Sequence, residues 1–402
     1  MKNVFLKPLM AVTAATLAIS CSNDDDMSQQ QDGTFTVENV VQVKDFVQSG
    51  TFKGQGNPPV VFPGQSVSIK FNAAKGQRFA FATMYGASKD WFFAPENPGL
   101  KLYNDDGSPI TGNVSSQIKL WDNGTKQNTT GDSESKSISE VPGIDASSLV
   151  HLNLSYQEDK SEFTLTIQNT SGGSDNETPL SPGVWAVSNT LGGELLNTSP
   201  FYAAGEMSNP EVTALAETGN NEPAAMKTET NTGIITGISP VVVVVYSGEQ
   251  NPIFKMGDTD MGNGLKAVAQ TGDFSQLKTS LMATSTVKNV YVLGNAPIGP
   301  GAKEMSIIQG QPGDKVAFVT MFGYSNDWFY ANSEPLMFGS KGDLTSKTEL
   351  YDNGTAIDQF PGAGNAQALF GGTPIAQDKS IEVVENEFPV PAKEQVLKIT
   401  LQ

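Results

Sequence analysis

Apolar and polar residues alternate with a period of two in Ser66-Val67-Ser68-Ile69-Lys70-Phe71 and again in Glu162-Phe163-Thr164-Leu165-Thr166-Ile167. That period predicts half-buried strands. Val241 to Val245 is apolar at every position, which fits a strand covered on both faces. Helical spacing is confined to 211–217 and 264–270, and each of these runs ends at Thr-Gly, where glycine is a natural stop. Short strands separated by Pro-Gly turns predict a mainly β protein built from antiparallel β-sandwiches, with one or two short helices.

The pattern occurs twice. Phe79 to Ala94 matches Val316 to Ala331 at a constant offset of 237, with 10 of 16 positions identical. Leu120-Trp121-Asp122-Asn123-Gly124-Thr125 then matches Leu350-Tyr351-Asp352-Asn353-Gly354-Thr355, at an offset of 230. A second repetition lies between these copies. Ser181-Pro182 and the strand after it resemble Ser239-Pro240 and Val241–Val245, and Ala214 to Gly219 resembles Ala267 to Gly272. A repeat of this length implies two tandem domains. The expected division is a first sandwich over 35–170 that lacks one strand-loop-helix unit, and a second over 171–402 that carries two. Ser171-Gly172-Gly173-Ser174-Asp175-Asn176 reads as the linker. The boundary is soft, because Phe163 to Asn169 is equally able to open the second domain.

The amino terminus reads as a sorting signal. Lys2 and Lys7 precede an apolar stretch from Leu9 to Ile19 that is too short to span a bilayer. It ends at Ala18-Ile19-Ser20-Cys21, which resembles a bacterial lipobox with Cys21 as the lipidated residue. The expectation is a signal peptide over 1–20 and an acidic, polar tether over 21–34. The run Asp24-Asp25-Asp26 resembles a signal for display of a lipoprotein on the outer surface of the outer membrane.

Composition narrows the chemistry. With 25 Lys and Arg against 43 Asp and Glu, the net charge is -18, which argues against nucleic acid as a partner. His151 is the single histidine and Cys21 the single cysteine, so multi-histidine metal sites, Ser-His or Cys-His catalysis and an intrachain disulfide framework are all disfavoured. His151 alternates as a strand residue, and Glu382, Glu385 and Glu387 read as a solvated edge.

The segment Thr-Met-x-x-x-Ser-x-Asp-Trp-Phe followed by Leu-Trp/Tyr-Asp-x-Gly-Thr, present twice in the same order, resembles the spondin N-terminal domain family. The resemblance implies a C2-like antiparallel sandwich of the kind found in extracellular adhesion and pattern-recognition modules, with a bound calcium ion. It carries over Asp90 and Asp122 in the first copy, and Asp327 and Asp352 in the second, as carboxylate ligands. The third family acid, directly after Gly-Thr, is replaced by Lys126 and by Ala356. Asp358, two residues further on, is the expected substitute in the second copy, and Asn123 and Asn353 could add amide oxygens. Asx-x-Gly-Thr is also ordinary turn chemistry. Trp91 and Trp328 are expected to anchor the cores, whereas Phe92, Phe93, Phe329 and Tyr330 are candidates for a partly exposed binding loop.

The function these features favour is a surface-anchored lipoprotein that binds a surface protein or glycan, assisted by calcium. A passive envelope component and a carboxylate-based hydrolase are the competing readings, and the enzyme reading is the weakest.

Overall fold

The computed structural model describes residues 30–385 and 387–402. Cys21 and Asp24 to Asp26 lie outside the described residues. The molecule consists of two antiparallel β-sandwiches, each with a pair of helices packed on the outside of one sheet. Among the described residues no helix is long and apolar enough to cross a membrane.

In the first sandwich, one sheet runs in the order Phe46–Phe52, Gly183–Ser188, Arg78–Met84, Trp91–Pro95, Ile118–Asp122 and Ser139–Glu140. The facing sheet runs Ser66–Asn72, Glu162–Asn169, Val150–Gln157 and Gly112–Asn113. The second sandwich repeats this arrangement strand for strand. Its first sheet is Val287–Leu293, Val241–Tyr246, Lys315–Met321, Trp328–Asn332, Thr348–Asp352 and Glu382–Val383. Its second is Lys303–Gly310, Gln31–Asn39, Leu397–Leu401 and Gly342–Asp343.

This topology corrects the expected division of the chain. Gln31–Asn39 does not belong to the first sandwich. It lies between Lys303–Gly310 and Leu397–Leu401, with Phe35 and Val37 fully buried in the second core. Glu162–Asn169 closes the first sandwich, in the sheet position that Gln31–Asn39 takes in the second. Gly183–Ser188, expected in the second sandwich, pairs with Phe46–Phe52 and Arg78–Met84 in the first. The first copy is therefore complete, and the two strand-loop-helix units are divided one to each sandwich. The first sandwich, from Phe46 to about 232, is an insertion between the first strand of the second sandwich and its remainder.

The two chain crossings run side by side. Phe46 N–H donates to Asn231 O at 3.1 Å, and Gly233 N–H donates to Phe46 O at 2.9 Å. Asn189 clamps both crossings, because its Nδ2 donates to Lys44 O and Gly233 O at 3.0 Å each. On the other side, buried Asn39 Nδ2 donates to Thr236 O and Ile298 O at 2.9 Å each.

The helices account for the apolar runs. Pro210–Thr218 is capped by Asn209, whose side chain accepts from Val212 N–H, and it stops at Gly219 in the left-handed region. Its partner is Glu222–Thr230, and the second sandwich has the equivalent pair Leu265–Thr271 and Ser275–Met282. The two helices expected from spacing thus form, each with a companion. Val241, Val243 and Val245 point into the inter-sheet core, while Val242, Val244 and Tyr246 point into the helix layer. Phe79 and Phe81 fill the first inter-sheet core, and the small Ala80 and Ala82 face its helices.

Candidate metal centre

The Ser-x-Asp-Trp loops take their shape from the serine. Ser325 Oγ donates to Phe322 O at 2.6 Å and accepts Trp328 N–H at 3.0 Å. Ser88 does the same with Tyr85 and Trp91. The loop is thereby closed, and the aspartate before each tryptophan turns inward. Asp327 is fully buried. Its Oδ2 accepts Thr355 N–H at 2.6 Å, Thr355 Oγ1–H at 2.8 Å and Ala356 N–H at 2.9 Å. Its Oδ1 has no partner.

The Asp-x-Gly-Thr segment supplies the second acid. Asp352 Oδ1 accepts Gly354 N–H at 2.7 Å in an Asx turn. Gly354 has φ 69°, and a Cβ there would lie 2.6 Å from Lys379 O, so the turn requires glycine. Asp358 enters from the loop that follows, and its Oδ1 also lacks a partner. One oxygen from each of Asp327, Asp352 and Asp358 lies within 4.8 Å of the other two. The indole N–H of Trp328 lies near Asp358 without closing a hydrogen bond.

Electrostatics at the cluster is unfavourable to three bare carboxylates. Burial, and then the Asp352 charge, push Asp327 up to about 7. Burial, followed by the Asp352 and Asp327 charges, pushes Asp358 up to about 8. Burial also raises Asp352, against the Gly354 N–H and the charge of Lys379. Three carboxylates facing one ammonium leave a formal surplus of two negative charges when all are ionised. Hard oxygens at this spacing, two of them without donors, are suited to a divalent calcium-like cation.

The first copy differs in composition rather than in framework. Asp90 is fully buried, and its Oδ2 accepts Thr125 N–H and Lys126 N–H at 2.8 Å each. Its Oδ1 is also without a partner, and burial raises its pKa. Asp122 Oδ1 accepts Gly124 N–H at 2.9 Å. Only two acids meet here. Lys126, at the third-acid position, turns its charge away from the pair, with its Nζ 3.8 Å from Glu217 Oε2 on helix Pro210–Thr218. The nearby cation is Lys136, held above its ordinary value by Glu134 first and then by Asp122 and Asp90. Lys136 is the counterpart of Lys379, because Lys136 N–H donates to Gly124 O and Lys379 N–H to Gly354 O, both at 2.9 Å. Lys136 is itself paired with Glu134, Nζ to Oε2 at 2.6 Å, so its charge is shared between that carboxylate and the two aspartates.

The remaining candidates fall elsewhere. Phe92, Phe93, Phe329 and Tyr330 are fully buried, which corrects their assignment to an exposed loop. The sheet in which they lie is covered on both faces, with Phe93 and Tyr330 in the inter-sheet cores and Phe92 and Phe329 under the helices. Trp328 is buried in the second core, and Trp91 packs half-buried against the first. Asn353 is buried and donates through Nδ2 to Asp260 Oδ2 at 3.1 Å, whereas Asn123 Oδ1 accepts Ser208 Oγ–H at 2.6 Å. His151 is half-buried on Val150–Gln157, and Glu382, Glu385 and Glu387 are exposed. An open cleft of about 400 Å³, walled by Phe254, Tyr351 and the exposed Met256 and Met261, lies apart from the three acids. No protein-family model matches the chain, and no curated protein matches it.

Proposed function

We propose that this protein is a binding module of the bacterial cell envelope, anchored through lipidated Cys21, whose second sandwich holds a calcium ion at Asp327, Asp352 and Asp358. The observation that carries the reading is the fully buried carboxylate of Asp327, which has one unpartnered oxygen and two further acids within reach. A buried, unpaired carboxylate is costly, and a cation would offset that cost. The doubled motif and its likeness to the spondin N-terminal domain support an adhesive role toward a surface protein or glycan. The first sandwich, with two acids and Lys136, keeps the framework without a divalent site.

Thermal unfolding with and without a calcium chelator tests the reading. Calcium at about a hundredfold over its dissociation constant stabilises the native state by about 2.7 kcal/mol. For a sandwich of this size, that corresponds to a rise in Tm of about 5–10 °C. Asp352→Asn is expected to abolish the rise. An unchanged Tm at millimolar calcium would remove the cation from the account. The adhesive role is tested separately, by binding of the purified chain to glycan and surface-protein arrays with and without calcium. Absence of any calcium-dependent ligand would leave a passive envelope component.

A further inference from the structure

We propose that the cation site is a latch: calcium bound at Asp327, Asp352 and Asp358 locks the second sandwich against the first. The inference rests on the cation reading above and adds a consequence for the whole molecule.

Two of the loops that supply the acids also dock on the first sandwich. The loop before Trp328 carries Asp327 and, three residues earlier, Tyr324. Tyr324 Oη donates to Thr190 O at 2.9 Å, directly beyond the first-sandwich strand Gly183–Ser188, and its ring stacks on Phe370 at 5.1 Å. The loop after Thr355 carries Asp358, and its next residue crosses the interface. Gln359 Nε2 donates to Glu158 O and Asp159 O of the first sandwich at 3.2 Å each. Further along, buried Gln77 Nε2 donates to Gly362 O at 2.8 Å. Ala363 is fully buried in the first core, and Phe360 packs against both cores. Asn365 completes the contact, with its N–H on Ser161 Oγ at 3.0 Å and its Oδ1 accepting Lys75 N–H at 3.1 Å.

The two loops meet at the site. Gln359 N–H donates to Asn326 Oδ1 at 3.0 Å, so the residues adjoining two of the acids are bonded to each other. Without a cation, the Gln359–Asn326 bond is the contact that joins these loops beside the acids. A shared cation draws them together and orders the segment 359–365 that the first sandwich grips. The first copy provides an internal contrast. Ala87 stands where Tyr324 does, and the uncharged Asn128 stands where Asp358 does. The copy without the third acid also lacks the tyrosine of the docking contact.

The test is hydrogen exchange on the full chain, with calcium affinity measured in parallel by calorimetry. The decisive amide is Lys75, which lies in the first sandwich and contacts none of the three acids. Calcium is expected to slow its exchange about tenfold, together with that of Asn365, and Asp352→Asn to remove both effects. Coupling between sites is reciprocal. Gln77→Ala, and as a second variant Ser161→Ala, should therefore each weaken calcium binding about fivefold, although neither residue is a ligand. If calcium binds, Lys75 exchange is unchanged and both variants bind calcium as the wild type does, the latch is overturned and the cation site stands. If the wild-type chain binds no calcium, the cation site and the latch fail together.

Discussion

Asp358 has burial and the neighbouring carboxylates of Asp352, Asp327 and Glu387 against its ionised form, and an unclosed indole N–H in its favour. Asp327 and Asp352 were legible in the sequence because the repeat aligned them with Asp90 and Asp122. Asp358 was legible only as the next acid after the vacant Ala356 position; loop geometry decides that it reaches the site. The role of Lys126 was not legible, because its direction depends on Glu217, which is distant in sequence. The raised carboxyls set a pH dependence. From about pH 4 to about pH 8 the folded, metal-free chain retains protons that the unfolded chain has released. Its stability therefore falls as pH rises through that window. Denaturant midpoints of the chelated protein at pH 5 and pH 8 should show this decline, and saturating calcium should flatten it. Asp358→Asn should shallow the decline and stabilise the chelated chain at pH 8 by about 1–3 kcal/mol, while abolishing calcium binding. A chelated Asp358→Asn chain less stable than wild type at pH 8 would contradict the charge argument.

The two strands Gly183–Ser188 and Val241–Tyr246 occupy equivalent places in their sheets, but only the second announces itself as a valine run. Periodicity identified the strands and both first helices, because each signal is local. It could not show which face a strand buries when helices cover the other side, and so Phe92, Phe93, Phe329 and Tyr330 read as candidates for a partly exposed loop when all four are enclosed. Gly183 marks a tight point in this packing. A Cβ there would overlap the Phe52 ring and lie 2.7 Å from Ala82 O. Gly183→Ala should destabilise the first sandwich by about 2 kcal/mol or more, read as a lower urea midpoint with unchanged slope. Val243→Ala, which opens space in the second core, should cost about 1–3 kcal/mol without altering the first.

At the scale of the molecule the first sandwich is an insertion in the second, which the sequence did not reveal. Strand pairing is a long-range property, and neither Gln31–Asn39 nor Glu162–Asn169 carries a local mark of its partner. Residues 44–232 expressed alone should unfold cooperatively, since they include every strand of the first sandwich. Residues 35–170 should not, because Gly183–Ser188 is missing from the middle of a sheet. Residues 233–402 should fold only when a peptide of residues 30–41 is supplied, because that segment carries the missing central strand. Circular dichroism of the three fragments distinguishes this arrangement from two consecutive domains. The latch turns on the proposed cation at the second sandwich, and Trp328 offers a reporter beside that site. Terbium, a calcium-sized lanthanide, should give tryptophan-sensitised emission that calcium competes away, that Trp328→Phe reduces and that Asp358→Asn abolishes. Emission from the wild-type chain no greater than that from Asp358→Asn would contradict a cation site at these three acids.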